Sequence, residues 1–194
     1  LAQSPLRNTL GGVGGWVASG CPRSALRRTM MAPAPPILPP LVPGEPVPRV
    51  YLLGAGGCGM SALGHLLLDL GYEVSGADLA EGLEVRQLRE RGAHIHLGHA
   101  AVQLLEDSPA LVACSSAIPA DNPERRAAEQ HGIPVYRRAL VLAELLARKR
   151  GVCVAGMHGK TTTSAMLAFA LDRLQARPSF AVGSVVPQDR KSVV

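Results

Sequence analysis

The 194-residue sequence is short of aromatic side chains, with two Phe, three Tyr and one Trp. A core without rings must be built from Ala, Leu and Val, which suits helices packed on parallel strands that read as short aliphatic runs. No apolar run approaches the roughly 18–20 residues of a membrane-spanning helix, so no membrane insertion is expected. Cysteine is scarce and scattered: Cys21, Cys58, Cys114 and Cys153 form no Cys-x-x-Cys pair and no zinc spacing. Reduced thiols, buried as small hydrophobes in a cytoplasmic protein, are the expectation. A basic face is lacking too, despite a net charge of +5. Residues 1–49 hold five Arg against Glu45, residues 189–194 hold Arg190 and Lys191 against Asp189, and residues 50–188 hold 13 basic and 13 acidic side chains. Nucleic-acid binding needs the excess on the folded part, so that class of partner is excluded.

What is present is ordered along the chain. Residues 1–31 show no sustained period, and Met30 or Met31 is read as the native start. Residues 33–48 hold eight of the 16 prolines and are expected to be an extended, disordered spacer. The domain reading is a leader over 1–48, a Rossmann-like domain over 49–148, the beginning of a second, P-loop-type α/β domain over 149–188, and a non-native tail over 189–194. Strands are expected at Val50–Leu53, Glu73–Ala77, His94–Leu97, Leu111–Cys114, Ile133–Val135 and Val152–Ala155. Helices are expected from Met60 to Leu70, Leu83 to Arg91, Asn122 onward, Arg138 to Arg150 and Thr161 to Gln175. Asn122-Pro123-Glu124 has the capping side chain, first-turn Pro and acid of a helix start. Strand and helix alternate throughout, which predicts an α/β fold with a parallel, doubly wound sheet.

Two glycine-rich turns carry the chemistry. Gly54-Ala55-Gly56-Gly57-Cys58-Gly59 satisfies G-x-G-x-x-G between a strand and a helix, where exposed N–H groups and the helix dipole favour a phosphate. Asp78 follows 19 residues after Gly59, at the end of the second strand, where an acid reaches a ribose hydroxyl. The second is Gly156-Met157-His158-Gly159-Lys160-Thr161-Thr162-Thr163. Its Gly-Lys-Thr at a helix start is a phosphate cradle, with Lys160 for the outer phosphates and the Thr161 hydroxyl for Mg²⁺. Val154 stands where the strict P-loop pattern has its first glycine. Two phosphate loops about a hundred residues apart suit an ATP-driven transfer onto a nucleotide-linked substrate.

From about Val50 to about Val186 the chain resembles the Mur ligase family. The likeness lies in Gly54–Met60, Ser75-Gly76-Ala77-Asp78-Leu79, Ser115-Ser116-Ala117-Ile118, Asp121-Asn122-Pro123-Glu124, Arg137-Arg138 leading to Ala143-Glu144-Leu145, and Gly156–Thr163. The resemblance implies that UDP-N-acetylmuramate, ATP with Mg²⁺, and L-alanine are the small-molecule partners of a ligase. Gly54, Gly56, Gly57, Gly59 and Met60 would then face the diphosphate, and Asp78, His99, Ser115 and Ser116 would contact the nucleotide-sugar. Gly156, Met157, His158, Gly159, Lys160, Thr161 and Thr162 would hold ATP, with Lys160 and Thr161 in the catalytic role. Met157 replaces the Thr usual in the family.

Other residues receive plainer readings. His94 and His96 share one strand face, and with no carboxylate pattern joining them and His99 a metal site is set aside. Cys58 is taken as small-residue packing. The rival functions are an NAD-dependent oxidoreductase using Gly54, Gly56, Gly59 and Asp78, which leaves Gly156–Thr163 unexplained, and a non-catalytic UDP-sugar-binding module.

Overall fold

A computed structural model describes residues 36–182. Five strands form one sheet: β1 (Arg49–Leu53), β2 (Glu73–Asp78), β3 (His94–Leu97), β4 (Leu111–Cys114) and β5 (Val135–Arg137). They lie in the order β3-β2-β1-β4-β5, and every neighbouring pair is parallel. Between them run α1 (Cys58–Asp69), α2 (Leu83–Glu90), α3 (Ala101–Asp107) and α4 (Pro123–Gln130), then α5 (Arg138–Ala147) and α6 (Lys160–Arg173).

Strand side chains alternate between two faces, so one strand feeds two cores. Val50 and Leu52 pack with Met60, Leu63 and Leu67 of α1, Leu88 of α2 and Val141 of α5. Tyr51 and Leu53 pack on the other face with Leu104 of α3 and Ala127 and Ala128 of α4. β4 divides in the same way, Leu111 and Ala113 to one side, Val112 and Cys114 to the other. Helices therefore cover both faces, which is why β1 from Val50 onward and all of β4 are buried without polar alternation. The tightest seam is between β1 and β2, where Gly76 pairs with Leu52 and a Cβ on Gly76 would collide with the Leu52 carbonyl oxygen.

The structure departs from the sequence expectations in several places. The spacer expectation does not hold at residues 37–39, which dock on the fold, while 1–35 and 183–194 lie outside the described residues. Leu38 is fully buried, the Ile37 N–H donates to Glu144 Oε2 (2.5 Å), and the Tyr72 hydroxyl donates to the Pro39 carbonyl (2.8 Å). Pro fixes the chain extended, and apolar residues between the prolines then dock on α1 and α5. Val152–Ala155 is not a strand, because a strand needs a neighbour for its backbone groups and none of the described strands lies beside it. Cys58 and Cys153 are exposed, and only Cys114 among the described cysteines is buried, with burial pushing its thiol pKa up. β5 lies two residues later than expected, and α3 was not anticipated. No helix among the described residues is long and apolar enough to cross a membrane.

Candidate functional site

In a parallel sheet of this order the connections leave β1 and β4 in opposite directions, opening a crevice at their carboxyl ends. Both flanks carry residues singled out from sequence. The Gly54–Gly59 turn leaves β1, and Ser115 and Ser116 leave β4. A Cβ on Gly54 would lie 3.2 Å from that of Ser115, and Gly54 itself has φ +84°, a conformation that side chains disfavour. Asp78 ends β2 beside the turn, and His99 follows β3, where the Gly98 N–H donates to the Asp78 carbonyl (2.8 Å).

The hydrogen bonds sort the turn's amides. Gly54 and Ala55 donate to the Ala77 carbonyl (2.9 and 3.1 Å), Gly56 to Asp78 Oδ2 (2.7 Å), Gly57 to the Gly54 carbonyl (3.3 Å) and Met60 to the Gly57 carbonyl (2.8 Å). The Cys58 and Gly59 amides, at the positive end of α1, have no acceptor among the described residues. No acid occupies the first turn of α1, and no side chain caps it. Two free donors and the dipole therefore face the crevice, while the other glycines give the turn its shape.

The Asp78 carboxylate braces the turn through Gly56 and also accepts the Ala80 N–H (3.2 Å). The Met60 side chain is buried in the core, so only its backbone borders the turn. Arg138, at the start of α5, was not singled out as a site residue, yet its guanidinium covers Gly59 so closely that a Cβ there would collide with it.

His94 and His96 are joined by a carboxylate after all. His94 Nδ1 lies 3.1 Å from Asp107 Oδ1, and His96 Nε2 lies 3.1 Å from Asp107 Oδ2. No local signal points to it, because Asp107 ends α3, a helix without a capping side chain or a first-turn acid. Each carboxylate oxygen is matched to one ring, and Arg49 Nη1 adds a cation 3.8 Å away. The three ligand-type atoms lie within 4.8 Å of one another, and the His94 ring stands largely in solvent.

The second loop is built with less support. Gly156, Met157, His158, Gly159, Lys160, Thr161 and Thr162 are all exposed. Gly156 (φ +153°) and Gly159 (φ +77°) bend the chain into α6. The first bond of that helix runs from the Thr163 N–H to the Gly159 carbonyl (2.9 Å), so the Lys160, Thr161 and Thr162 amides have no acceptor among the described residues. Lys160 Nζ folds back to donate to the Gly156 and Met157 carbonyls (2.6 and 3.1 Å). Three free amides and an ammonium around one turn fit a phosphate chain.

A cavity of about 150 Å³ lined by Leu41, Leu70, Tyr72, Leu145 and Arg148 sits at the far ends of α1 and α5, away from both loops.

The described residues define a doubly wound α/β protein with a glycine turn at the switch point of its sheet. Residues 49–150 match the Mur ligase family, catalytic domain, and the chain belongs to that family. It is 48% identical over 137 residues to a UDP-N-acetylmuramate–L-alanine ligase of Saccharopolyspora erythraea, covering 70% of this chain and 28% of that protein. With the enzyme of the same name from Lawsonia intracellularis it shares 44% over 140 residues, 72% of this chain and 30% of that one. Among solved structures, the UDP-N-acetylmuramate–alanine ligase of Thermotoga maritima is similar at TM-score 0.61 and 32% identity, over 66% of this chain and 30% of that chain. The UDP-N-acetylmuramate:L-alanyl-gamma-D-glutamyl-meso-diaminopimelate ligase from Neisseria meningitides is similar at TM-score 0.68 and 30% identity, over 72% and 44%. The chain thus spans less than a third of the curated relatives it matches.

Proposed function

We propose that this chain supplies the nucleotide-sugar crevice and the ATP phosphate loop of a cytoplasmic ligase that joins L-alanine to UDP-N-acetylmuramate in peptidoglycan synthesis. The observation that carries the reading is the pair of unpartnered Cys58 and Gly59 amides at the α1 N-terminus, set in the switch-point crevice of a Mur ligase fold. The diphosphate would rest there, with Ser115, Ser116 and His99 on the flanks. Asp78 holds the turn in shape and remains within reach of the sugar.

The domain change falls near Arg148–Gly151, beyond which Gly156–Thr162 would receive ATP. ATP, with its charge offset by Mg²⁺, would supply the γ-phosphoryl group that activates the muramate carboxylate as an acyl phosphate, with ADP as the leaving group. The amine of L-alanine would then displace phosphate, leaving an amide. Lys160 and the loop amides would hold phosphate oxygens in line and offset their charge, and the exposed Thr161 hydroxyl would be one ligand of the metal. Further Mg²⁺ ligands and an alanine pocket are not among the described residues. Residues 31–194 alone are therefore expected not to turn over.

Alanine as the amine is supported by the names of the relatives at 44–48% identity. The oxidoreductase reading is disfavoured because it gives the second loop no role. Equilibrium dialysis separates the two: retention of UDP-N-acetylmuramate without NAD supports the ligase, and retention of NAD without the nucleotide-sugar overturns it.

A further inference from the structure

Glu124 is fully buried, and a carboxylate taken out of water costs several kcal/mol unless its charge is met. Both of its oxygens are engaged. Tyr51, itself fully buried on β1, donates its hydroxyl to Oε1 (2.6 Å), and His99 Nδ1 lies 2.6 Å from Oε2. The phenol stays neutral, since burial and the adjacent Glu124 push its pKa far above the ordinary range. Asn122 accepts the Glu124 and Arg125 N–H groups and pins the first turn of α4 that carries the carboxylate. The surrounding charges are already matched. Asp107 on α3 is met by His94, His96 and Arg49, and Arg125 on α4 pairs with Glu129 (3.1 Å). His99 is the one basic side chain in contact with Glu124 among the described residues.

His99 is 12% exposed and stands directly after Gly98, whose amide is bonded to the Asp78 carbonyl. It therefore belongs to the same rim as the glycine turn. With Nδ1 committed to Glu124, Nε2 is the nitrogen left for another partner, and the ring carries its proton there when charged.

We infer that Glu124 is a positioning residue that anchors the His99 ring through Nδ1 and leaves Nε2 to meet the diphosphate of the nucleotide-sugar. This rests on the crevice reading above. A ring already fixed in place loses less freedom on binding than a loose one, so releasing it from Glu124 weakens the diphosphate hold and leaves the base and ribose contacts alone.

The test uses the whole 194-residue chain with two probes, UDP-N-acetylmuramate and uridine, titrated calorimetrically against the native chain, His99→Ala and Glu124→Gln. The His99 ring nitrogens are followed by NMR in parallel. His99→Ala should lose about tenfold in affinity for UDP-N-acetylmuramate, while uridine binding stays flat. Glu124→Gln should lose part of the same affinity and should shift the Nδ1 signal of the His99 ring, which marks its bond to Glu124. A nucleotide-sugar affinity unchanged in His99→Ala, with both probes bound, overturns the inference and spares the crevice reading. So does a His99 Nδ1 signal unmoved in Glu124→Gln. If neither probe binds the native chain, the crevice reading fails. His99→Ala decides the point even if Glu124→Gln does not fold.

Discussion

The two glycine loops use one device, free amides at a helix start, in different surroundings. Around the first, β1 is hydrogen-bonded on both sides, the turn donates to Ala77 and Asp78, and α1 is sealed to the sheet by Met60, Leu63 and Leu67. Around the second, residues 152–155 have no strand beside them, Val152 is 65% exposed, and Ala168 is the buried residue of α6. A phosphate loop binds by holding N–H groups in place before the ligand arrives. The first loop has that preorganisation within the described residues, and the second does not.

The comparison breaks most visibly at the sheet that supports the first loop. Gly76→Ala forces a methyl group against the Leu52 carbonyl, and about 3 kcal/mol of stability should be lost in urea unfolding. Gly159→Ala, strained at its own φ of +77°, should leave the main unfolding transition where it is. Equal losses in the two variants would mean that the second loop is part of the same cooperative unit.

Ligand binding gives the next largest effect. Calorimetry should find UDP-N-acetylmuramate bound at least about tenfold more tightly than Mg²⁺–ATP, because ordering the second loop costs free energy that the first has already spent in folding. Lys160→Ala should abolish the residual ATP signal without touching the nucleotide-sugar. Equal affinities would contradict the contrast in support.

The smallest effect is one of pH. His65 on α1 is buried, and desolvation, with Arg91 Nη1 2.9 Å from Nδ1, holds its pKa below 6.5. The unfolded chain takes up the proton first, so stability is full above about pH 6.5 and declines as pH falls toward and through the folded value. His65→Gln should flatten that acid-side slope in thermal melts, and an unchanged slope would remove His65 from the account.

Much of this was legible in the residues themselves. The strand segments β1 to β4 and the Asn122-Pro123 helix start are local signals, and the structure has them within a residue of where the sequence places them. The helix at Ala101–Asp107 has no capping side chain and no acid in its first turn to announce it. What escaped the sequence is long-range. Glu124 reads locally as a dipole-matching acid, yet it is the buried partner of Tyr51, 73 positions away, and of His99, 25 away. Asp107 reaches His94 and His96 in the same non-local manner. Val152–Ala155 shows the reverse failure: the aliphatic run is there, but hydrophobic content cannot provide the neighbouring strand that makes a run a strand.

The most direct measurement is the amide NMR spectrum of the folded chain during addition of UDP-N-acetylmuramate. The Cys58 and Gly59 resonances should move furthest, since those N–H groups are free, with smaller changes at Gly56 and Gly57, whose amides are bonded within the turn. Saturable binding that leaves Cys58 and Gly59 unmoved would put the diphosphate elsewhere and contradict the account.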